Sequence, residues 1–363
     1  MAKRVNVDGW MFAVTLLLVF AGLVMVFSAS AVVAKERYGS GYFFLTRQLG
    51  WAVAGIAAMT VAMKIDYRRY KHPAVVFSVL GVTTLMLISV FLLDRSHHTH
   101  RWIHFGGFSF QPSELAKPAL ILFLAFFLES RMKFINDWRN TVLPALLPAV
   151  VFLGLIVFQP DLGTAIACAA ITGCTLFVAG LNLRYLGYAF AASLLPLYFL
   201  IFHVAYRRNR ILAFLDPYSD PQGRGFHIIQ SLIAVATGGI AGQGLMEGKQ
   251  KLFYLPEPHT DFIFSVISEE LGLVGALAIL ALFTVFLWRG IRTAMRTQDT
   301  FGRLLAVGIT CMVVVQAFIN ISVVLGLMPT KGIPLPLISY GGSSIFMTLA
   351  CIGVLLNVSK QAE

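Results

Sequence analysis

The sequence predicts an all-α integral membrane protein of about ten transmembrane helices, with a large external loop between helices 7 and 8. Three observations predict it. The chain of 363 residues is 58% hydrophobic and only 12% charged, with a mean hydropathy of +0.79. Soluble domains carry roughly 25% charged residues, so the deficit of charge is about twofold and a water-soluble globule is excluded. The apolar residues are gathered into ten stretches, each near the ~20 residues that span a bilayer core. The connections between them alternate between short basic runs and longer mixed loops.

The ten stretches are roughly 10–30, 46–63, 73–93, 114–129, 142–159, 162–181, 184–203, 261–288, 304–325 and 341–358. Each must be helical, because backbone polar groups in lipid have to pair within their own segment. The first follows Lys3 and Arg4, and Ala29-Ser30-Ala31 resembles a cleavage site. Its apolar run exceeds the ~7–15 residues of a cleaved signal, so a retained first helix is predicted. The runs Lys64 to Lys71, Arg131 to Arg139 and Arg289 to Arg303, with Arg184 and both termini, hold about 15 of the 28 Lys and Arg residues. The positive-inside rule then predicts that both termini are cytoplasmic. One membrane domain covers residues 1–363, and its external loops fall at about 94–113 and 204–260. The second loop exceeds the ~15 residues common for an unstructured connection. It carries Arg, Gly, Pro, aromatic residues and an apolar patch from Ile228 to Ala236, and is predicted to be a folded interfacial element.

The net charge of +11 is spread over short runs between spans. It suits membrane topology and anionic lipid rather than nucleic acid. The four cysteines, Cys168, Cys174, Cys311 and Cys351, lie in apolar segments without metal-ligand spacing and are predicted to pack. His97, His98, His100 and His104 cluster on the first external loop without accompanying carboxylates, a weak metal signal. Gly238 to Gly244 is glycine-rich but follows no strand, so a re-entrant or tightly packed turn is predicted there.

Ionisable residues at membrane depth are costly and are functional candidates by default. Asp261 follows Pro256-Glu257-Pro258-His259-Thr260 at the external end of a span. One reading is a helix cap, with Thr260 or Asp261 capping the span that follows. The other is a general base or a ligand of a divalent cation. Ser265 and Ser268 share the Asp261 face at helical spacing. Glu114 and Lys117 are three residues apart and meet on one helix face. They form either a structural pair or a Lys available to phosphate. Asp161, in Gln159-Pro160-Asp161-Leu162-Gly163-Thr164, is the expected cap of a tight external turn. Arg207, Arg208, Arg210, Arg224, Lys249 and Lys251 populate the long loop, where guanidinium forks suit phosphate oxygens or anionic headgroups alike.

Several stretches in fixed order resemble one family. They are Arg101-Trp102-Ile103, Gln111-Pro112-Ser113-Glu114 with Lys117, and Gln159 to Thr164. Phe214-Leu215-Asp216-Pro217, Gln230 to Ala234, and His259-Thr260-Asp261-Phe262-Ile263-Phe264 follow. Glu269-Glu270-Leu271-Gly272 and Pro334 to Ser344 complete the set. Together they resemble the SEDS proteins (shape, elongation, division and sporulation), the FtsW/RodA/SpoVE-type peptidoglycan glycosyltransferases, and they run from the first span to the last. Gly326-Leu327-Met328-Pro329-Thr330-Lys331-Gly332 is most similar to the FtsW branch. Met246-Glu247-Gly248, Pro258 and Ser268 depart from that branch's pattern.

The resemblance implies an inverting transfer that polymerises lipid II into glycan strands and releases undecaprenyl pyrophosphate. It implies septal wall synthesis during cell division, in the bacterial inner membrane, with the active site on the periplasmic side. Asp261 matches the family's essential acid. Glu114, Lys117, Asp161, Arg210 and Ser265 are expected around the substrate, with a divalent cation, Mg or Mn, at Asp261. The implied partners are lipid II, undecaprenyl-pyrophosphate-linked glycan, a class B penicillin-binding protein of FtsI type, divisome proteins and membrane lipid. The alternatives are an elongation-type RodA polymerase, a lipid II flippase and a non-catalytic scaffold for a transpeptidase. A flippase would favour inverted repeats, and the sequence shows none.

Overall fold

A computed structural model of the chain describes residues 7–94, 101–105, 108–252 and 254–362. His97, His98 and His100 lie outside the described residues. Ten helices coincide with the predicted spans: α1 (Gly9–Tyr38), α2 (Phe43–Lys64), α3 (Pro73–Leu93), α4 (Pro112–Glu129), α5 (Leu143–Phe158), α6 (Leu162–Val178), α7 (Leu183–Phe202), α10 (Ile263–Arg296), α11 (Thr300–Val324) and α12 (Gly342–Gln361). Two more, α8 (Ala205–Leu215) and α9 (Phe226–Gly238), make the long loop a folded element, as predicted. Among the described residues, seven helices are long and apolar enough to cross a membrane: α1, α3, α5 with its preceding turn, α7, α10, α11 and α12. A short antiparallel hairpin, β1 (Ile103–Phe105) and β2 (Phe108–Phe110), pairs Ile103 with Phe110 between α3 and α4.

The core lies where α1, α4, α10, α11 and α12 meet, around Leu18, Met25, Leu124, Phe286, Phe301 and Leu355. α7 contributes no buried residue, and its Phe190, Leu195 and Tyr198 face outward. Such a surface suits contact with lipid or with a partner chain. Polar contacts mark one end of the bundle. Arg289 pairs with Asp8 at 2.6 Å, Lys71 with Glu129 at 2.7 Å, and the Tyr67 N–H donates to Asn357 Oδ1 at 2.9 Å. Both described ends of the chain and the basic connections gather at this end. The hairpin, the 159–161 turn, α8, α9 and the 325–341 connection gather at the other.

The predicted span 261–288 needs correction. Phe262, not Thr260 or Asp261, occupies the cap position of α10, without a side-chain cap bond. The helix also breaks at Gly272, whose φ is +65°. Helical spacing from Asp261 therefore does not carry into the span. The break leaves backbone groups unpaired, and in lipid each would cost several kcal/mol. The glycine-rich segment pairs them. Leu273 and Val274 donate to Gly239 O and Ile240 O at 2.9 and 3.2 Å, while Gln243 and Gly244 donate to Glu269 O and Glu270 O at 3.0 Å each. A Cβ at Gly272 would stand 2.3 Å from the Gly242 nitrogen. Gly272→Ala is expected to destabilise the fold by about 2 kcal/mol or more, read as a lower thermal midpoint in detergent. An unchanged midpoint would show that the break is not locked by this contact.

Candidate active site

At the end of the bundle opposite the termini, a cavity of about 360 Å³ opens between α6, α7, α8 and α11. Leu162, Ile166, Leu197, Ile201, Ile319 and Val323 give it apolar walls. Six charged side chains line it: Asp161, Asp261, Arg101, Arg207, Arg210 and Lys331. Four cations against two acids make it an anion site, and the apolar wall beneath suits a chain of hydrocarbon.

Each charge is placed by an identifiable local cause. Asp94 Oδ2 accepts from the Arg101 and Trp102 N–H groups at 2.9 and 3.2 Å, fixing the start of the hairpin. Arg101 Nε then donates to Gln159 O at 3.1 Å, and its Nη2 to Pro160 O. The same turn presents Asp161, which caps α6 as the sequence predicts. It accepts from the Thr164 N–H at 3.2 Å, Thr164 Oγ1 at 2.7 Å and Gln111 Nε2 at 3.0 Å. Arg207 and Arg210 are three residues apart on α8 and share its face. Arg210 stacks on Tyr206, with 4.5 Å from guanidinium carbon to ring centre, and its Nη1 donates to Thr330 O at 3.1 Å. Lys331 sits in the connection between α11 and α12. Its ammonium makes no hydrogen bond or ion pair among the described residues.

Asp261 occupies the turn ahead of α10. Its backbone oxygen accepts from Asn320 Nδ2 at 2.8 Å. Its carboxylate rests on the Cα side of Gly332, where an added Cβ would come within 2.8 Å of Oδ2. That carboxylate accepts no hydrogen bond among the described residues, so its lone pairs are available. Burial pushes its pKa up to about 6. Arg210 and Arg101 oppose the shift, and Glu257 and Asp161 add to it. Burial pushes Lys331 down to about 8, Arg210 and Arg207 lowering it further and Asp161 partly restoring it. Nearby, His259 is buried against Phe44 and Tyr340 and is pushed down to about 4, which leaves it neutral at pH 7.

Four of the residues singled out in the sequence thus share one cavity: Asp261, Asp161, Arg207 and Arg210. Three that were expected around the substrate do not line it. Glu114 and Lys117 form the expected pair at 2.8 Å, each 3% exposed, inside the bundle. Ser265 is fully buried and bonded to Ser231 Oγ at 2.8 Å. Sequence reasoning did not single out Lys331 or Arg101 as site residues. The available signal was a charge in an otherwise apolar connection at the external end. Among the described residues no cluster of three or more carboxylate, His or Cys side chains surrounds a metal position. A magnesium-type ion, which commonly takes one or two carboxylates and completes its shell with phosphate oxygens and water, would here be held by Asp261.

The family described as cell cycle protein, which takes in FtsW, RodA and SpoVE, matches residues 9–363. A protein of Geobacter metallireducens named probable peptidoglycan glycosyltransferase FtsW is 47% identical over 345 residues, 94% of this chain and 92% of that one. Stage V sporulation protein E of Bacillus subtilis is 44% identical over 364 residues, 99% of each chain. Among solved structures, a chain of a peptidoglycan synthase complex that coordinates polymerisation and cross-linking superposes with a TM-score of 0.81 at 33% identity, covering 98% of both chains. The rod shape determining protein RodA of Thermus thermophilus superposes with a TM-score of 0.73 at 28% identity, again over 98% of both.

Proposed function

This chain belongs to the FtsW, RodA and SpoVE family of cell cycle proteins, and on that premise we propose that its charged cavity polymerises lipid II into peptidoglycan. The chain is a multi-pass membrane protein and a peptidoglycan glycosyltransferase. One observation carries the assignment of the site: a hydrogen-bond-free carboxylate, Asp261, shares an apolar-walled cavity with four cations.

The chemistry follows from those groups. Asp261 takes the proton of the incoming sugar 4-hydroxyl. The hydroxyl oxygen forms a bond to the anomeric carbon of the growing strand from the face opposite the leaving group. The anomeric carbon–oxygen bond breaks, configuration inverts from α to β, and the electron pair leaves with undecaprenyl pyrophosphate. Arg101, Arg207, Arg210 and Lys331 stabilise the charge that develops on that pyrophosphate. A divalent ion at Asp261 would add positive charge at the same phosphates. The lipid tail follows Leu197, Ile201 and Ile319 out of the cavity. Asp161 holds the turn beneath Arg101. In this reading the basic end of the bundle faces the cytoplasm and the cavity faces the periplasm, in the inner membrane at the division septum. A class B penicillin-binding protein, within a set of divisome proteins, cross-links what the cavity makes.

The test is a polymerisation assay with the purified chain, its cognate transpeptidase, fluorescent lipid II and a divalent cation. Glycan ladders from wild type that vanish with Asp261→Ala support the reading. Translocation of lipid II without ladders would instead make the protein a flippase.

A pH window follows from the same groups. Below about pH 6 Asp261 is protonated and cannot accept a proton, so the rate should fall there. For an ordinary carboxylate the fall would begin near the usual value of 3.8. Above about pH 8 Lys331 is neutral and the phosphates lose a cation, so the rate should fall again. A profile flat from pH 5 to 9 would contradict both assignments.

A further inference from the structure

Behind the cavity, two buried amides on α11 reach the loops that carry the site. Asn320 is 1% exposed. Its Nδ2 donates to Asp261 O at 2.8 Å and to Ile333 O at 2.7 Å. Both of its N–H groups are therefore spent on loop carbonyls, one from each loop. One turn earlier on the same face, Gln316 Nε2 donates to Pro334 O at 3.0 Å, and its Oε1 accepts from Lys117 Nζ at 2.9 Å. An ammonium can only donate, so Lys117 dictates which end of the Gln316 amide faces it and turns the other toward Pro334. Glu114, 2.8 Å from Lys117, balances that buried charge.

We propose that Asn320, with Gln316 oriented by the Lys117–Glu114 pair, is a positioning device that holds the Lys331–Pro334 loop in register against Asp261. The proposal rests on the polymerase reading and deepens it. Residues used only for packing between α11 and its neighbours would be apolar, because a buried amide is costly unless it is hydrogen-bonded. Here the donors skip the helix's own backbone and bind carbonyls that have no partner within their own loops. The loop they hold contains Gly332, where an added Cβ would crowd the Asp261 carboxylate, and Lys331, which faces the cavity. Two further bonds complete the seam: Ser339 Oγ donates to Thr260 O at 2.6 Å and the Tyr340 N–H to His259 O at 2.9 Å. Glu114 and Lys117 thus act on the reaction through Gln316 without reaching the substrate.

The test uses the purified chain with its cognate transpeptidase, lipid II and a divalent cation. Asn320→Leu keeps the branched shape of the side chain and removes both donors. Its turnover should fall roughly 10- to 100-fold, as expected for a small misplacement of reacting groups, with KM for lipid II within about twofold. Gln316→Glu keeps the acceptor for Lys117 but loses the donor to Pro334. It should lower turnover the same way by a smaller amount, again with KM little changed, and it keeps the question open to measurement if Asn320→Leu does not fold. A raised KM with unchanged turnover would overturn the proposal by making these residues substrate ligands. Unchanged turnover in folded protein would overturn it by making them packing residues. Loss of Asp261 dependence in the wild type is a separate outcome, which sinks the polymerase reading itself.

Discussion

Asp261→Asn is expected to lower the rate of glycan polymerisation by about 10²- to 10⁴-fold, the range a positioned general base supplies. Asparagine keeps the size of the side chain and the bond from Asn320 to the backbone oxygen, so the loop seam should survive. What is lost is the only cavity carboxylate that accepts no hydrogen bond among the described residues. Asp161 cannot substitute, because Gln111 and Thr164 already occupy its oxygens and it caps α6. Asp261→Glu should retain a fraction of activity, since the basic group is kept but pushed about one methylene beyond the Gly332 contact. Binding of lipid II should change little in either variant, because the cations that hold its phosphates remain. Polymerisation by Asp261→Asn at more than a tenth of the wild-type rate would remove Asp261 from proton transfer and leave it a spacer in the loop.

Much of the fold was legible because lipid imposes one rule on every segment. Length and hydropathy placed ten helices close to their observed bounds, and alternation of basic connections put Asp161 and Asp261 at the same end. What stayed hidden depends on how the backbone satisfies itself. The break at Gly272 was not visible, because an apolar run reads as one helix whether or not another segment supplies its missing bonds. Gly239, Ile240, Gln243 and Gly244 supply them here, from about 30 residues away in sequence. The site was half legible for a related reason. Asp261 and Arg210 announced themselves as charges in costly places. Glu114 and Lys117 did so equally, yet their partner proved to be Gln316 rather than the cavity. Burial makes a charge improbable without saying whether a ligand or a neighbouring amide makes it tolerable. Lys331 escaped notice because a lysine in a loop is ordinary. Only the fold shows that this one points into a cavity, with no ion-pair partner among the described residues.

Lys331→Met should lower turnover by about 10²- to 10³-fold, the effect of removing one preorganised charge from a developing anion. The expectation is large because Lys331 lacks an internal partner. Arg210 is held by Thr330 and Tyr206, Arg101 by Gln159 and Pro160, and Arg207 by Leu200 O at 3.0 Å. Those three spend part of their donor capacity on the protein, whereas all three ammonium donors of Lys331 remain for phosphate. Its lowered pKa supplies a signature that bulk destabilisation cannot imitate. In Lys331→Met the basic limb near pH 8 should disappear, because the group that titrates there is gone, while the acid limb near 6 stays with Asp261. Lys331→Arg restores a charge that does not titrate in this range, so activity should partly return and the basic limb should move well above 8. A basic limb that persists near 8 in both variants would assign it to another group and leave the departing pyrophosphate to the three arginines.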